Sequence, residues 1–146
     1  MSPNMLVEIR RTMESGKYVG GGVFDMRPDR WSVGIAATFA LLYVGAWVTG
    51  LSGGLFFTTR EAFEAIGGFN ERLLALEDVD FAKRLKRYGR RKRQRFCHLR
   101  SATLHTSVRK FDTFGDWYIF RNPWKIIQCM RNDPRTTDEI WYKHRD

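Results

Sequence analysis

Residues 31–59 contain no charged side chain, although the chain as a whole carries 25 Lys and Arg against 16 Asp and Glu. Such a run lies against a core or meets lipid, because its apolar centre at residues 33–48 is costly to leave in water. Crossing a bilayer takes about 20 mainly apolar residues, and that length is reached here only by including Gly34, Gly45, Gly50 and several hydroxyl residues. The expectation is therefore a buried helix over 33–48, a turn over 50–54 and a core strand over 55–58. Insertion into a membrane interface is the competing possibility.

The remaining 117 residues read as further alternating elements of one domain spanning 1–146, and a chain 43% apolar and 14% aromatic has the material for a single core. Met5, Leu6, Ile9 and Met13 form a helical apolar stripe ending near Gly16, with Pro3 placed where a first turn tolerates proline. Residues 18–24 read as a strand whose Gly20-Gly21-Gly22 run lets a neighbour or ligand come unusually close. Thr58 and Glu61 have capping-box spacing, and Gly67 with Gly68 suits a left-handed helix end. A longer helix is expected from Glu77 to Gly89, burying Val79, Phe81, Ala82, Leu85 and Tyr88 and exposing Lys83, Arg84, Lys86 and Arg87. Residues 94–99 return to a strand. The aromatic tail with Phe111, Phe114, Trp117, Tyr118, Phe120 and Trp124 is expected to pack as a closing helix. Asp133-Pro134 marks a turn before a polar helix over 138–143.

A net charge of +9 points to anionic partners: nucleotide phosphates, acidic lipids or nucleic acid. Nine basic residues between Lys83 and Arg95 would suit a phosphate backbone, yet no zinc spacing, helix-turn-helix pattern or ribonucleoprotein signature accompanies them, which disfavours nucleic acid. Cys97 and Cys129 have neither Cys-x-x-Cys nor zinc spacing, so free thiols in a reducing cytosol are expected. The N-terminus lacks the basic-then-apolar order of a signal peptide. Localisation is expected to be cytoplasmic, with peripheral contact at the inner membrane face.

Chemistry concentrates where Ile66-Gly67-Gly68-Phe69-Asn70-Glu71 is followed by Glu77-Asp78-Val79-Asp80-Phe81 and Arg84-Leu85. Paired carboxylates at a helix start can take a proton from a bound hydroxyl. On spacing alone they serve as well to complement the helix dipole. Asp78-Val79-Asp80 is a literal Asp-x-Asp, but it opens an amphipathic helix, so Asp80 is expected to face solvent or pair with Lys83 or Arg84.

The Gly-Gly-Phe-Asn-Glu turn and the Glu-Asp helix start resemble the acceptor-side half of family 2 glycosyltransferases. Residues 52–57 and 60–63 are similar to the loop, strand and helix before that turn, and His105-Thr106-Ser107-Val108-Arg109-Lys110-Phe111 is similar to a segment of one bacterial subgroup. The resemblance covers about residues 17–120, with 121–146 a C-terminal helical extension. It implies an α/β fold, a partial nucleotide-diphospho-sugar transferase (GT-A-like) domain with a short mixed sheet flanked by helices. It implies inverting transfer from a nucleotide-sugar donor to a hydroxyl of a glycan or lipid-linked acceptor, with Asp78 as base and Glu77 beside it. Gly53 and Gly54 would line the acceptor pocket, Arg109 and Lys110 would grip the leaving diphosphate, and His105 would contact a divalent Mg²⁺ or Mn²⁺. The nucleotide-binding half and the main metal ligands are expected to be missing from this chain, leaving it inactive alone. The alternative is a basic nucleic-acid-binding or membrane-peripheral module without catalysis.

Overall fold

The computed structural model describes residues 4–50, 54–73 and 76–131. The elements run α1 (Met5–Glu14), β1 (Tyr18–Pro28), α2 (Val33–Thr49), β2 (Phe56–Thr58), α3 (Arg60–Ala65), α4 (Glu77–Arg91), β3 (Arg95–Thr106), α5 (Arg109–Phe114), α6 (Tyr118–Arg121) and α7 (Pro123–Met130). Their order is the short mixed α/β arrangement expected. Pro3, the turn at 133–134 and the helix over 138–143 lie outside the described residues.

β1 occupies the middle of a three-stranded sheet in the order β2-β1-β3, antiparallel to β2 and parallel to β3. The glycine run makes this possible. A Cβ on Gly20 would collide with the Phe57 carbonyl oxygen, and one on Gly21 with the Cys97 carbonyl oxygen. Backbone of both neighbouring strands fills the space a side chain would need, so the close approach is to protein.

Register shifts in the β1–β3 ladder fall between Tyr18 and Gly20 and between Val23 and Asp25. The first, two residues of β1 against one of β3, is an odd step, which turns a strand's side chains to the other face. Val19 consequently packs with Phe81 and Leu85 of α4, whereas Val23 packs with Met5 of α1 and Leu99 of β3. Each face of the sheet thus receives its own core from one strand. Burying Phe81 or Leu85 contributes about 1.5–3 kcal/mol each, and both are essentially sealed from solvent. A third cluster joins Ile35 and Phe39 of α2 to Val108 before α5.

Several boundaries differ from expectation for local reasons. Thr59, not Thr58, caps α3 by accepting from the Ala62 N–H at 3.1 Å, and Thr58 instead donates to the Val19 carbonyl at 2.7 Å. With the cap one residue later, Glu61 falls in the wrong place to complete a capping box. Gly89 does not end α4. A Cβ there would lie 2.6 Å from Val19 Cγ1, so the glycine lets the helix sit down on β1, and α4 continues to Arg91. The left-handed residue after the helix is Arg93, at φ 59°. Arg84 and Lys86, expected on the solvent face, are half-buried and bonded to other elements.

The largest departure is α2. Its position agrees with the sequence, but among its residues only Gly34, Ile35, Thr38 and Phe39 are buried. Val33, Trp47 and Val48 are each at least 71% exposed. The uncharged run therefore forms a helix packed along one side only. No helix among the described residues is long and apolar enough to cross a membrane. The aromatic tail likewise forms three short helices in place of one, with Trp117, Phe120 and Trp124 exposed.

Two glycine substitutions test this packing in opposite directions. Gly21→Ala should destabilise by about 3 kcal/mol, since the obstructing atoms are backbone and cannot swing aside. Gly45→Ala, where an added Cβ meets nothing within 4 Å, should stabilise α2 by about 0.5–1 kcal/mol. Urea denaturation of both variants measures the difference.

Candidate functional site

The turn after α3 is built by its glycines. Gly68 N–H donates to the Phe63 carbonyl at 2.9 Å and Gly67 N–H to the Glu64 carbonyl at 3.0 Å, with φ of +63° and +77°. This is the paired 6→1 and 5→2 closure of a Schellman motif. It delivers Phe69 onto Phe81 of α4, the rings stacked with centroids 4.4 Å apart and 20° between planes. The motif phenylalanine is thus the bolt between the glycine turn and the helix that carries the carboxylate pair.

Arg84 makes a second tie. Its Nη1 donates to the Ile66 carbonyl at 2.6 Å, and its Nε to Asp80 Oδ2 at 2.7 Å. Asp80 therefore pairs with Arg84, the i,i+4 arrangement considered from the sequence. With that carboxylate occupied, Asp78-Val79-Asp80 does not form a chelating pair.

Leu76, immediately before the pair, adopts φ 59° and ψ 20°. A non-glycine residue in this left-handed region costs about 1–2 kcal/mol. Its carbonyl nevertheless accepts the first helical bond, from Asp80 N–H at 3.0 Å. Glu77 is exposed and Asp78 half-buried, with Asp78 Oδ1 accepting the Val79 N–H at 2.7 Å. That bond fixes the carboxylate's plane.

Only residues 92–94 separate α4 from β3, and α4 packs on both β1 and β3, so helix and strands run antiparallel. The α4 N-terminus points along the sheet towards the C-terminal ends of β1 and β3. Phe81 and Leu85 of α4 pack with Val19 of β1 and Phe96 of β3, and Thr103 and His105 lie further along β3, towards the end to which the α4 N-terminus points. Leu104 belongs to the α1 face. Its ladder neighbours Thr103 and His105, with their partners Asp25 and Arg27, therefore project from the face that α4 covers. Asp25 accepts from Thr103 Oγ1 at 2.7 Å and lies 3.3 Å from Arg27.

The expected site residues fall on separate elements: Glu77 and Asp78 open α4, His105 is exposed near the end of β3, and Arg109 and Lys110, both exposed, open α5. Gly54 touches the opposite face: a Cβ there would meet Met26 Sδ at 2.6 Å and Leu104 Cδ2 at 2.9 Å. Gly53 lies outside the described residues. Two shallow grooves, one between Tyr18, Tyr88 and Lys92 and one between Phe63, Gly68 and Glu71, include none of these groups.

Among the described residues, no three His, Cys, Asp or Glu side chains gather as a metal site. Asp80 is committed to Arg84 and Asp25 to Thr103 and Arg27, so the groups near His105 do not on their own fit a divalent ion. Cys97 is a free, half-buried thiol, its pKa raised by burial and then by the Glu8 charge; it has no feature of a nucleophile.

Asp25, Leu76 and the Arg30 clamp were not singled out from the sequence. Arg30 bonds Asp112 at 2.6 Å and Asp116 at 2.9 Å, tying the β1–α2 loop to α5. Separations of 82 and 86 residues leave no local signal for such a pair. The Arg30 hydrogen bond, then that of Ser32, holds the Asp116 carboxyl below its ordinary range.

A family model described as the N-terminal domain of galactosyltransferase matches residues 35–109, just over half of the 146 residues. No curated protein and no solved structure matches. The matched span runs from within α2, through the glycine turn and the carboxylate pair, to the first residue of α5.

Two measurements follow from this geometry. Leu76→Gly should relieve the left-handed strain and stabilise the chain by about 1 kcal/mol, read by urea denaturation. For Asp116, a pKa lower folded than unfolded means stability present above the unfolded value and lost as pH falls through the folded one. Asp116→Asn should therefore be less stable than the parent at neutral pH, with the gap closing below the ordinary carboxyl pKa of 3.8.

Proposed function

The chain belongs to the family described as the N-terminal domain of galactosyltransferase and is a glycosyltransferase domain of GT-A-like type, and on that premise we propose that its α4 N-terminus is the acceptor side of an inverting transfer. The observation that carries this reading is the pair Glu77-Asp78 opening α4, a helix tied to the glycine turn by the Phe69–Phe81 stack and the Arg84 bonds. The kinship to family 2 enzymes belongs to the same proposal, because the glycine turn and the acidic helix start are the segments shared.

A glycosyltransferase domain implies a nucleotide-sugar donor and an acceptor. In the proposed step the acceptor hydroxyl oxygen attacks the anomeric carbon from the face opposite the leaving group. The carbon–oxygen bond to the nucleoside diphosphate breaks, and its electron pair departs with the diphosphate. The hydroxyl proton passes to Asp78. Oδ1 is oriented by the Val79 N–H, which directs Oδ2 to the acceptor, and a positioned carboxylate of this kind contributes about 10²–10⁴ in rate. Glu77, one residue earlier and exposed, hydrogen-bonds a second acceptor hydroxyl. Arg109 and Lys110 meet the charge developing on the diphosphate.

Domains of this type commonly use a divalent metal. His105 offers a single imidazole, and the ligands that complete such a site would come from outside the described residues, as would the nucleotide-binding surface. The chain is therefore proposed to act together with a donor-binding half.

The nucleic-acid reading loses ground on a specific observation: Arg84 and Lys86 are spent on backbone carbonyls of α3 and of the α2 end. The basic run is correspondingly less continuous as a phosphate track.

Asp78→Asn tests the assignment. In an assay giving transfer from a nucleoside-diphosphate galactose, with a donor-binding half supplied if needed, the variant should fall by about 10²–10⁴ in turnover with donor affinity little changed. A rate near that of the parent would remove Asp78 from the role.

A further inference from the structure

We infer that the outward face of α2 rests on an anionic phospholipid bilayer, lying in the interface without crossing it. Protein covers one side of this helix, through Ile35, Phe39 and Tyr43, whose hydroxyl donates to the Met26 carbonyl at 2.8 Å. The opposite side presents Val33, Leu41, Val44, Trp47 and Val48 to the outside, all more than half exposed. A helix on the surface of a water-soluble domain carries polar residues there; one that is apolar all round is enclosed by core or by lipid.

Both ends of the helix carry side-chain caps. Ser32 accepts the Ile35 N–H at 3.2 Å, and Thr49 Oγ1 turns back onto the Gly45 carbonyl at 2.7 Å. Lys86 Nζ donates to the terminal carbonyls of Thr49 and Gly50 at 3.2 and 3.1 Å. The helix is about 25 Å long, which suits a segment lying along the surface. Trp47, 79% exposed, lies on this outward side towards the C-terminal end of the helix, and tryptophan favours the headgroup level. The net charge of +9 over the whole chain favours an acidic bilayer over a neutral one. A second protein docking on α2 would gain nothing from that excess unless it were itself acidic.

Flotation of the full chain with vesicles of phosphatidylcholine, with and without phosphatidylglycerol, tests the inference. The parent should float with the mixed vesicles, and high salt should weaken but not abolish binding, because burial of α2 persists when charge is screened. Val44→Glu combined with Trp47→Glu should bind at least about tenfold more weakly, while circular dichroism reports an unchanged fold at these exposed positions. Brominated lipid should quench tryptophan emission in the parent, and less so in Trp47→Phe. Failure to float, or flotation indifferent to the double substitution, would overturn the inference. So would sedimentation as an oligomer that the double variant converts to monomer, since a second copy would then be what covers α2.

Discussion

Everything else in this molecule depends on how closely three strands approach at Gly20 and Gly21. A side chain at either position would collide with a carbonyl oxygen of the adjoining strand, so β1 can occupy the centre of the sheet only because the chain has no Cβ there. With β1 central, the register shift beside it divides Val19 from Val23 and supplies a core to each face. α4 is then fixed by Gly89 against Val19 at one end and by Phe81 at the other. The direction in which its N-terminus points follows from these contacts.

The start of the helix that carries the carboxylate pair is consequently fixed by the glycine turn and by its own first residues. Phe69 arrives from the glycine turn, Arg84 reaches back to the same turn, and Leu76 accepts an unfavourable backbone conformation to start the helix where it does. Strain of about 1–2 kcal/mol is retained only where the surroundings enforce it. Its position directly before Glu77 is consistent with a helix start set by the needs of a site.

The sequence carried the elements well because each had a local signature. The stripe of α1 (apart from Leu6, which is exposed), the glycines after α3, the acidic opening of α4 and the Asp80–Arg84 spacing all act within a few residues. What it concealed was long-range. Thr58 and Thr59 are chemically equivalent candidates for a cap, and only the pairing of β2 with β1, which turns Thr58 towards the Val19 carbonyl, decides between them. Gly89 looks like a helix end until Val19 is seen against it. Arg30 gives no hint of Asp112 and Asp116. For α2, lack of charge signalled the helix but not its burial: packing against the protein covers one side, and the other is exposed. At the site, Glu77 and Asp78 were legible from spacing and resemblance, whereas Asp25 owes its place beside Thr103 to strand register.

The central claim is that an acceptor is met at the N-terminus of α4. Mapping amide chemical shifts of the ¹⁵N-labelled chain during titration with lactose, maltotriose and chitobiose tests it without requiring turnover. The expected result is that the largest changes fall at residues 76–80, with smaller ones at His105. Changes confined to the groove between Tyr18, Tyr88 and Lys92, at the opposite end of the helix, would contradict it.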